Sequence, residues 1–226
     1  YSDPDVEWSK RPEIDRWILS LLNSLVKDVD GYLEAYEPTR AGRAISDFVN
    51  DNLSNWYVRL NRRRFWGGGM TEDKLSAYQT LYTCLETVAK LMAPIAPFYA
   101  DQLFLDLVAV TGRESVHLSD FPVYDESKID KNLEERMQMA QDVSSMVLAL
   151  RRKVNIKVRQ PLHTVMIPVV DAHQQESIEA VKNLILNEVN VKELKFVDNT
   201  AGILVKKIKP DFKKLGPCYG KIMKAL

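Results

Sequence analysis

The sequence predicts a mainly α protein: an antiparallel bundle of four to five helices followed by a small α+β unit. Three observations carry that expectation. Apolar residues recur three and four apart through most of the first half of the chain, and Pro or Gly interrupts them at helix-length intervals. Past residue 160 the pattern changes to alternation or short apolar runs, as strands require.

Residues 12–36 place Ile14, Trp17, Ile18, Leu21, Leu22, Leu25, Val29, Leu33 and Tyr36 on one helical face, and Pro12 suits the first turn. Pro38 and Thr39 restart a helix, with Thr39 as N-cap, that continues to about Trp66 and stops at Gly67–Gly69. Thr71 caps a third helix over roughly 72–92; Lys74 stands where a capping box wants Glu, so half of that motif is present. Pro94 breaks this helix and Pro97 opens a fourth through Val110. The aromatics Tyr78, Tyr82, Phe98, Tyr99 and Phe104 fall at core spacing and are assigned to packing. Residues 111–130 form a loop and candidate boundary, giving a helical bundle at 1–130 and a second domain at 131–226. The latter opens with a helix over 132–153, its apolar register running from Leu133 through Met137, Ala140, Val143 and Val147 to Leu150. Strands follow at 164–170, 191–197 and 203–208, with a helix at 174–187 between the first two.

Apolar residues make up 46% and charged residues 27% of the 226, values of a soluble globular protein. No apolar run spans a bilayer and YSDPDVEWSK has no signal-peptide character, so a cytoplasmic location is expected. Cys84 and Cys218 have no CxxC spacing, which argues against a zinc site or disulfide framework. Basic and acidic residues balance at 31 each, yet they are segregated. Arg40 to Trp66 holds six arginines against Asp47 and Asp51; Arg151 to Gln160 holds five basic residues and no acid; Val205 to Lys224 holds seven lysines against Asp211. Local fields rather than the total steer a polyanion.

The densest cluster is NWYVRLNRRRFWGGG, residues 55–69. On an α-helical wheel Ile45, Val49, Leu53, Trp56 and Leu60 form a core stripe, and Asn52, Asn55, Arg59, Arg62 and Trp66 form a second face beside it. That face offers amides, guanidiniums and an indole without a carboxylate. Arginine forks phosphate or guanine, asparagine pairs with base edges, and an exposed indole stacks on a splayed-out base. Arg63 and Arg64 fall nearer the buried arc, so their targets are open. The same cluster lies at a helix C-terminus, where the dipole favours cations without any ligand, and this structural-cap reading stands beside nucleic-acid contact. Lys157 and Arg159 in NIKVRQPL are further RNA candidates, with a stiff linker as the alternative. Lys213, Lys214 and Lys221 are better read as a solvated face. His117 is a structural histidine rather than a ligand, and no Ser/His/Asp, Cys/His or paired-carboxylate set stands out.

NWYVRLNRRRFW, LMAPIAPFYADQLF, SVHLSDFPVYD, NIKVRQPL and KPDFKKLGPCYGK together resemble the C-terminal part of class I isoleucyl-tRNA synthetases over Glu13–Lys224. The APIAPF segment is shared with the valine and leucine enzymes, which are the nearest alternatives; the arginine block with KVRQPL and KPDFKKLGP is more specific to the isoleucine family. The resemblance implies an anticodon-binding bundle and a junction domain, with isoleucine tRNA and the catalytic body of the same polypeptide as partners, in a monomer. Its parent enzyme uses ATP and magnesium. The HIGH and KMSKS signatures that hold ATP do not occur in this chain, so the fragment itself is expected to be non-enzymatic and without cofactor. The expected RNA-contacting set is Asn55, Arg59, Arg62, Arg63, Arg64, Trp66, Lys157 and Arg159. A rival of a different class is a structural bundle that binds no RNA.

Overall fold

In the computed structural model, which describes residues 4–108, 114–168 and 171–197, the first long element is α1, Glu13–Glu34. Pro12 is its N-cap, and Glu13 and Asp15 sit in its first turn where the dipole favours acids. α2, Pro38–Asp47, starts with Pro38 at its first position and Glu37 as N-cap, so the cap lies two residues before the expected Thr39. Its continuation Phe48–Val58 is π-helical. The chain then breaks at Asn61 and ends in α3, Arg62–Trp66, so the expected unbroken helix is three pieces. Thr71 caps α4, Glu72–Met92, by accepting from Lys74 N at 3.2 Å, as expected. α5 spans Pro97–Val108.

Contacts divide the chain into residues 1–141 and 142–226, a division that falls inside the long helix α6, Lys131–Lys153. In the first unit Trp17, Ile18, Val29, Tyr57, Leu91 and Phe104 are fully buried. Ala100, Phe104 and Val108 of α5 pack with Ala89 and Val116. Asp101 ties the following loop to α5, accepting from Ser115 Oγ at 2.7 Å and Val116 N at 2.9 Å; the Ser115 bond is the main reason its carboxyl titrates below the ordinary range. Asp130 Oδ1 accepts from Leu133 N at 3.0 Å, and Glu134 accepts from Ser20 and Ser24, which fixes the start of α6 against α1. Phe98 and Tyr99 are exposed, not core: α5 turns Ala100, Phe104 and Val108 inward and leaves its first turn facing out. His117 is likewise exposed.

The second unit contains a βαβ arrangement. β1, Leu162–Pro168, pairs in parallel with β2, Val191–Val197, from Leu162↔Val191 to Pro168↔Val197. The crossover is two short helices, α7 (Ala172–Ala180) and α8 (Lys182–Val189), where one was expected. Ile167, Ile178, Val181, Ile185, Val189, Val191 and Leu194 form its buried core. Leu150, expected in the core register of α6, is 63% exposed. The expected strand at 203–208 and Lys213, Lys214, Lys221 and Cys218 lie outside the described residues.

Candidate nucleic-acid interface

The π-helical segment explains which way the basic cluster faces. Bonding from i to i+5 widens the turn, so the buried positions run Ala41, Ile45, Phe48, Leu53, Trp56, Tyr57, Asn61 and Phe65, with a five-residue step between Phe48 and Leu53. The α-helical wheel places Ile45, Leu53 and Trp56 correctly. It misses Phe48, Tyr57 and Asn61, while Val49 and Leu60 are half-buried.

Beneath the cluster lies a buried polar hub. Asp15 is fully buried and accepts from Arg64 Nη1 at 2.7 Å, Arg64 Nη2 at 2.9 Å, Tyr57 Oη at 2.9 Å and Ser76 Oγ at 2.6 Å. A planar fork of donors meeting both carboxylate oxygens is the strongest geometry for such a pair. Arg64 also donates from Nε to Asp73 Oδ2 at 2.9 Å and from Nη1 to Asn61 Oδ1 at 3.0 Å. Asn61 Nδ2 closes the network on Tyr57 O at 2.8 Å, across the helix break. Burial works against the Arg64 charge, but its bonds to Asp15 and Asp73 outweigh that and raise its pKa. Burial, and then the Asp15 charge, push both the Tyr57 phenol and the Cys84 thiol up, so both stay neutral.

Aromatic contacts fix the tip. Phe65 meets Tyr57 and Tyr78 edge to face at centroid distances of 6.4 and 5.3 Å, and Tyr78 Oη donates to Phe65 O at 3.1 Å. Lys74 Nζ donates to Gly67 O at 2.7 Å. Gly69 has φ of 74°, the left-handed region where a side chain is strained. What projects from this support is Asn55, Arg59, Arg62, Arg63 and Trp66, all exposed, Trp66 by 80%. Arg59 lies back along the helix, donating from Nε to Asn55 O at 2.6 Å. The two acids that begin α4 are already engaged, Asp73 by Arg64 and Glu72 by Lys10 at 3.6 Å.

Residues 15–166 match the family model described as the anticodon-binding domain of tRNA ligase. The chain belongs to that family. It is similar to the isoleucine–tRNA ligase of Bacteroides fragilis (strain ATCC 25285), 73% identical over 100% of this chain and 20% of the relative. The isoleucine–tRNA ligase of Porphyromonas gingivalis is 69% identical over 99% of the chain and 20% of the relative. That of Thermus thermophilus is 40% identical over 95% and 21%. This anticodon-binding chain thus spans about a fifth of the length of the curated relatives it matches.

In the first unit of this anticodon-binding chain, the expected site residues separate into two groups. Asn55, Arg59, Arg62, Arg63 and Trp66 share the exposed tip; Arg64, also expected to contact RNA, is turned inward and bound to Asp15. The wheel leaves Arg63 and Arg64 undecided, and one residue of rotation sends them to opposite sides. In the second unit Lys157 and Arg159 are exposed on the turn after α6. That turn is organised by Arg151, which is 3% exposed and donates to Lys157 O at 3.2 Å, Gln160 O at 3.0 Å and Asn190 O at 3.0 Å. Asn155, at φ of 57°, closes α6 with paired bonds from Ile156 N to Arg151 O and Asn155 N to Arg152 O. Sequence reasoning missed Asp15 and Arg151 as organisers. The available signal for Asp15 was a carboxylate between Ile14 and Trp17 in the apolar register of α1; Arg151 carried none beyond its place in a basic run.

Proposed function

We propose that this chain is the anticodon-recognition part of an isoleucine–tRNA ligase. Asn55, Arg59, Arg62, Arg63 and Trp66 contact the anticodon stem-loop, and Lys157 and Arg159 contact the tRNA backbone. The observation that carries the reading is the tip itself: among the described residues the side chains of Arg62 and Arg63 meet no acid and no hydrogen-bond partner, and Trp66 stands 80% exposed beside them. Solvated surfaces mix charges of both signs, whereas a cationic, stackable tip on a rigid base suits unpaired bases between phosphates. Phosphate contacts position the loop, and amide, guanidinium and indole contacts read it.

Residues 1–130 serve as the anticodon-binding bundle and 131–226 as the junction domain. The ligase as a whole attaches isoleucine to its tRNA with ATP and magnesium and acts as a cytoplasmic monomer. The residues present here do not fit the nucleotide or its metal. Neither HIGH nor KMSKS occurs, and among the described residues no three His, Cys, Asp or Glu side chains converge as ligands. Amino-acid activation is therefore assigned to polypeptide outside this chain. Relatives named isoleucine–tRNA ligase, at 73% and 69% identity, favour isoleucine over the valine and leucine alternatives.

The test is a titration of the chain with isoleucine tRNA and with an anticodon-substituted tRNA at two salt concentrations. Affinity should fall linearly in log salt, with a slope of about −0.7 per phosphate contacted in a single strand, and should be weaker for the variant tRNA. Arg62→Ala should cost about 1–3 kcal/mol if Arg62 reads a base. Salt-independent or undetectable binding would return the tip to the structural-bundle reading.

A further inference from the structure

The turn after α6 encloses a cavity that backbone contacts from Lys157 and Arg159 would leave empty. It measures about 440 Å³, within the range of ligand sites, and lies wholly in the second unit. Leu148, Ile156 and Val158 supply aliphatic wall, and Arg151, Arg152 and Lys157 supply three cations; Asn155 completes the lining, which contains no acid. Arg151 is almost fully buried and both of its terminal nitrogens are engaged, yet its Nε has no hydrogen-bond partner among the described residues. A buried orphan donor on a cavity wall calls for an acceptor that arrives with a ligand. The walls are also fixed before anything binds: Asn190 Nδ2 donates to Val158 O at 2.8 Å, and Gln160 N to Lys157 O at 3.0 Å. A helix C-terminus ordinarily repels an anion, but the last carbonyls of α6 are taken, Leu150 O by Val154 N, Arg151 O by Ile156 N and Arg152 O by Asn155 N.

Charge and shape together name the ligand. The side chains of Arg152 and Lys157 meet no acid among the described residues, so two free cations and the Arg151 guanidinium face one space. A phosphate alone needs only a convex basic surface and would leave the aliphatic walls unused. A base turned out of its stack uses them, because its faces are apolar and its phosphate follows at the rim. We infer that this cavity takes one unpaired nucleotide of the bound tRNA, its base against Leu148, Ile156 and Val158 and its phosphate on Arg152 and Lys157. An acidic peptide would meet the same cations, but residues 151–160 continue the positive field to Arg159 with no acid, as a run of successive phosphates requires. Val158 is 43% exposed, which leaves the cavity open to a base. The inference rests on the RNA reading and adds to it a base-contacting site in the unit that does not carry the tip.

Titration of this chain with isoleucine tRNA at two salt concentrations tests it on Val158→Trp, which fills the cavity and keeps every cation, and on Arg152→Gln. Val158→Trp should weaken binding at least about fivefold with an unchanged salt slope, and Arg152→Gln should make the slope shallower by about 0.7. Both should melt with the parent, since Val158 and Arg152 are exposed. Parental affinity in Val158→Trp, or a parental slope in Arg152→Gln, overturns the inference and leaves the tip untouched. Weakening in Val158→Trp with none in Arg62→Ala supports it and removes Arg62 from the anticodon site. Absence of tRNA binding by the parent chain overturns both. Methyl NMR of the parent chain gives a readout that no variant's folding can affect. In the tRNA complex the methyls of Leu148, Ile156 and Val158 should show contacts to ribonucleotide base protons. Contacts of those methyls to residues 198–226 in the free chain mean that protein fills the cavity, and overturn the inference.

Discussion

Replacing Arg64 with Met tests the hub beneath the tip. The substitution keeps length and apolar volume but removes two of the four hydrogen bonds that Asp15 accepts, together with the cation that balances it. Breaking a buried ion pair from one side costs about 3–5 kcal/mol, because the surviving charge is stranded. Tyr57 and Ser76 still donate to Asp15, which places the expected loss at the lower end, about 3 kcal/mol. For a unit of this size that corresponds to a fall in Tm of roughly 9 °C. Urea denaturation followed by fluorescence of the buried Trp17 measures it. Arg63→Met, one position away and exposed, is the control and should stay within about 0.5 kcal/mol of the parent. A loss below about 1 kcal/mol, or equal damage from both variants, refutes the assignment of Arg64 as an internal strut.

Three further outcomes are expected. Trp66→Ala should leave stability within about 0.5 kcal/mol and weaken RNA binding by about 1–3 kcal/mol, read by calorimetric melting and by titration. Tyr57 and Cys84 both have raised pKa values when folded, so the stability gained by keeping them neutral is complete below their unfolded values, about 10 and 8.5, and declines as pH rises past them. Each should contribute a slope of about 1.4 kcal/mol per pH unit in alkaline denaturation series, and Tyr57→Phe or Cys84→Ala should each remove one share. Arg151→Met leaves the carbonyls of Lys157 and Gln160 without that donor and should cost about 3 kcal/mol, with hydrogen exchange accelerated in 157–168 and 191–197 and unchanged in α1 to α5.

Much of the bundle was legible because α-periodicity and punctuation agree: Pro12, Pro38, Thr71 and Pro97 each mark a helix start within two residues. The π-helical stretch was not, since a wheel drawn at a fixed 100° assumes the bonding pattern it is used to find. Its trace in the sequence is Phe48, an apolar residue one place early for the stripe through Val49. The exposed tip could be read from composition, as amides and arginines without acids. Arg64 could not be separated from Arg63, because the partner that decides it, Asp15, is 49 residues away in sequence. Phe98 and Tyr99 misled for a related reason: spacing shows which residues share a face, not whether anything covers it.

The three carbonyls that Arg151 grips have a geometric consequence for the sheet. Gln160 and Asn190 stand just before β1 and β2, and Leu162 N donates to the same Asn190 O at 3.1 Å. A parallel strand pair has no hairpin to count residues for it, and a slip by one position would turn every side chain of a strand to the wrong face. Here a single guanidinium bridges the residues that lead into both strands, so the register that starts at Leu162↔Val191 is anchored from outside the sheet as well as by its own side chains.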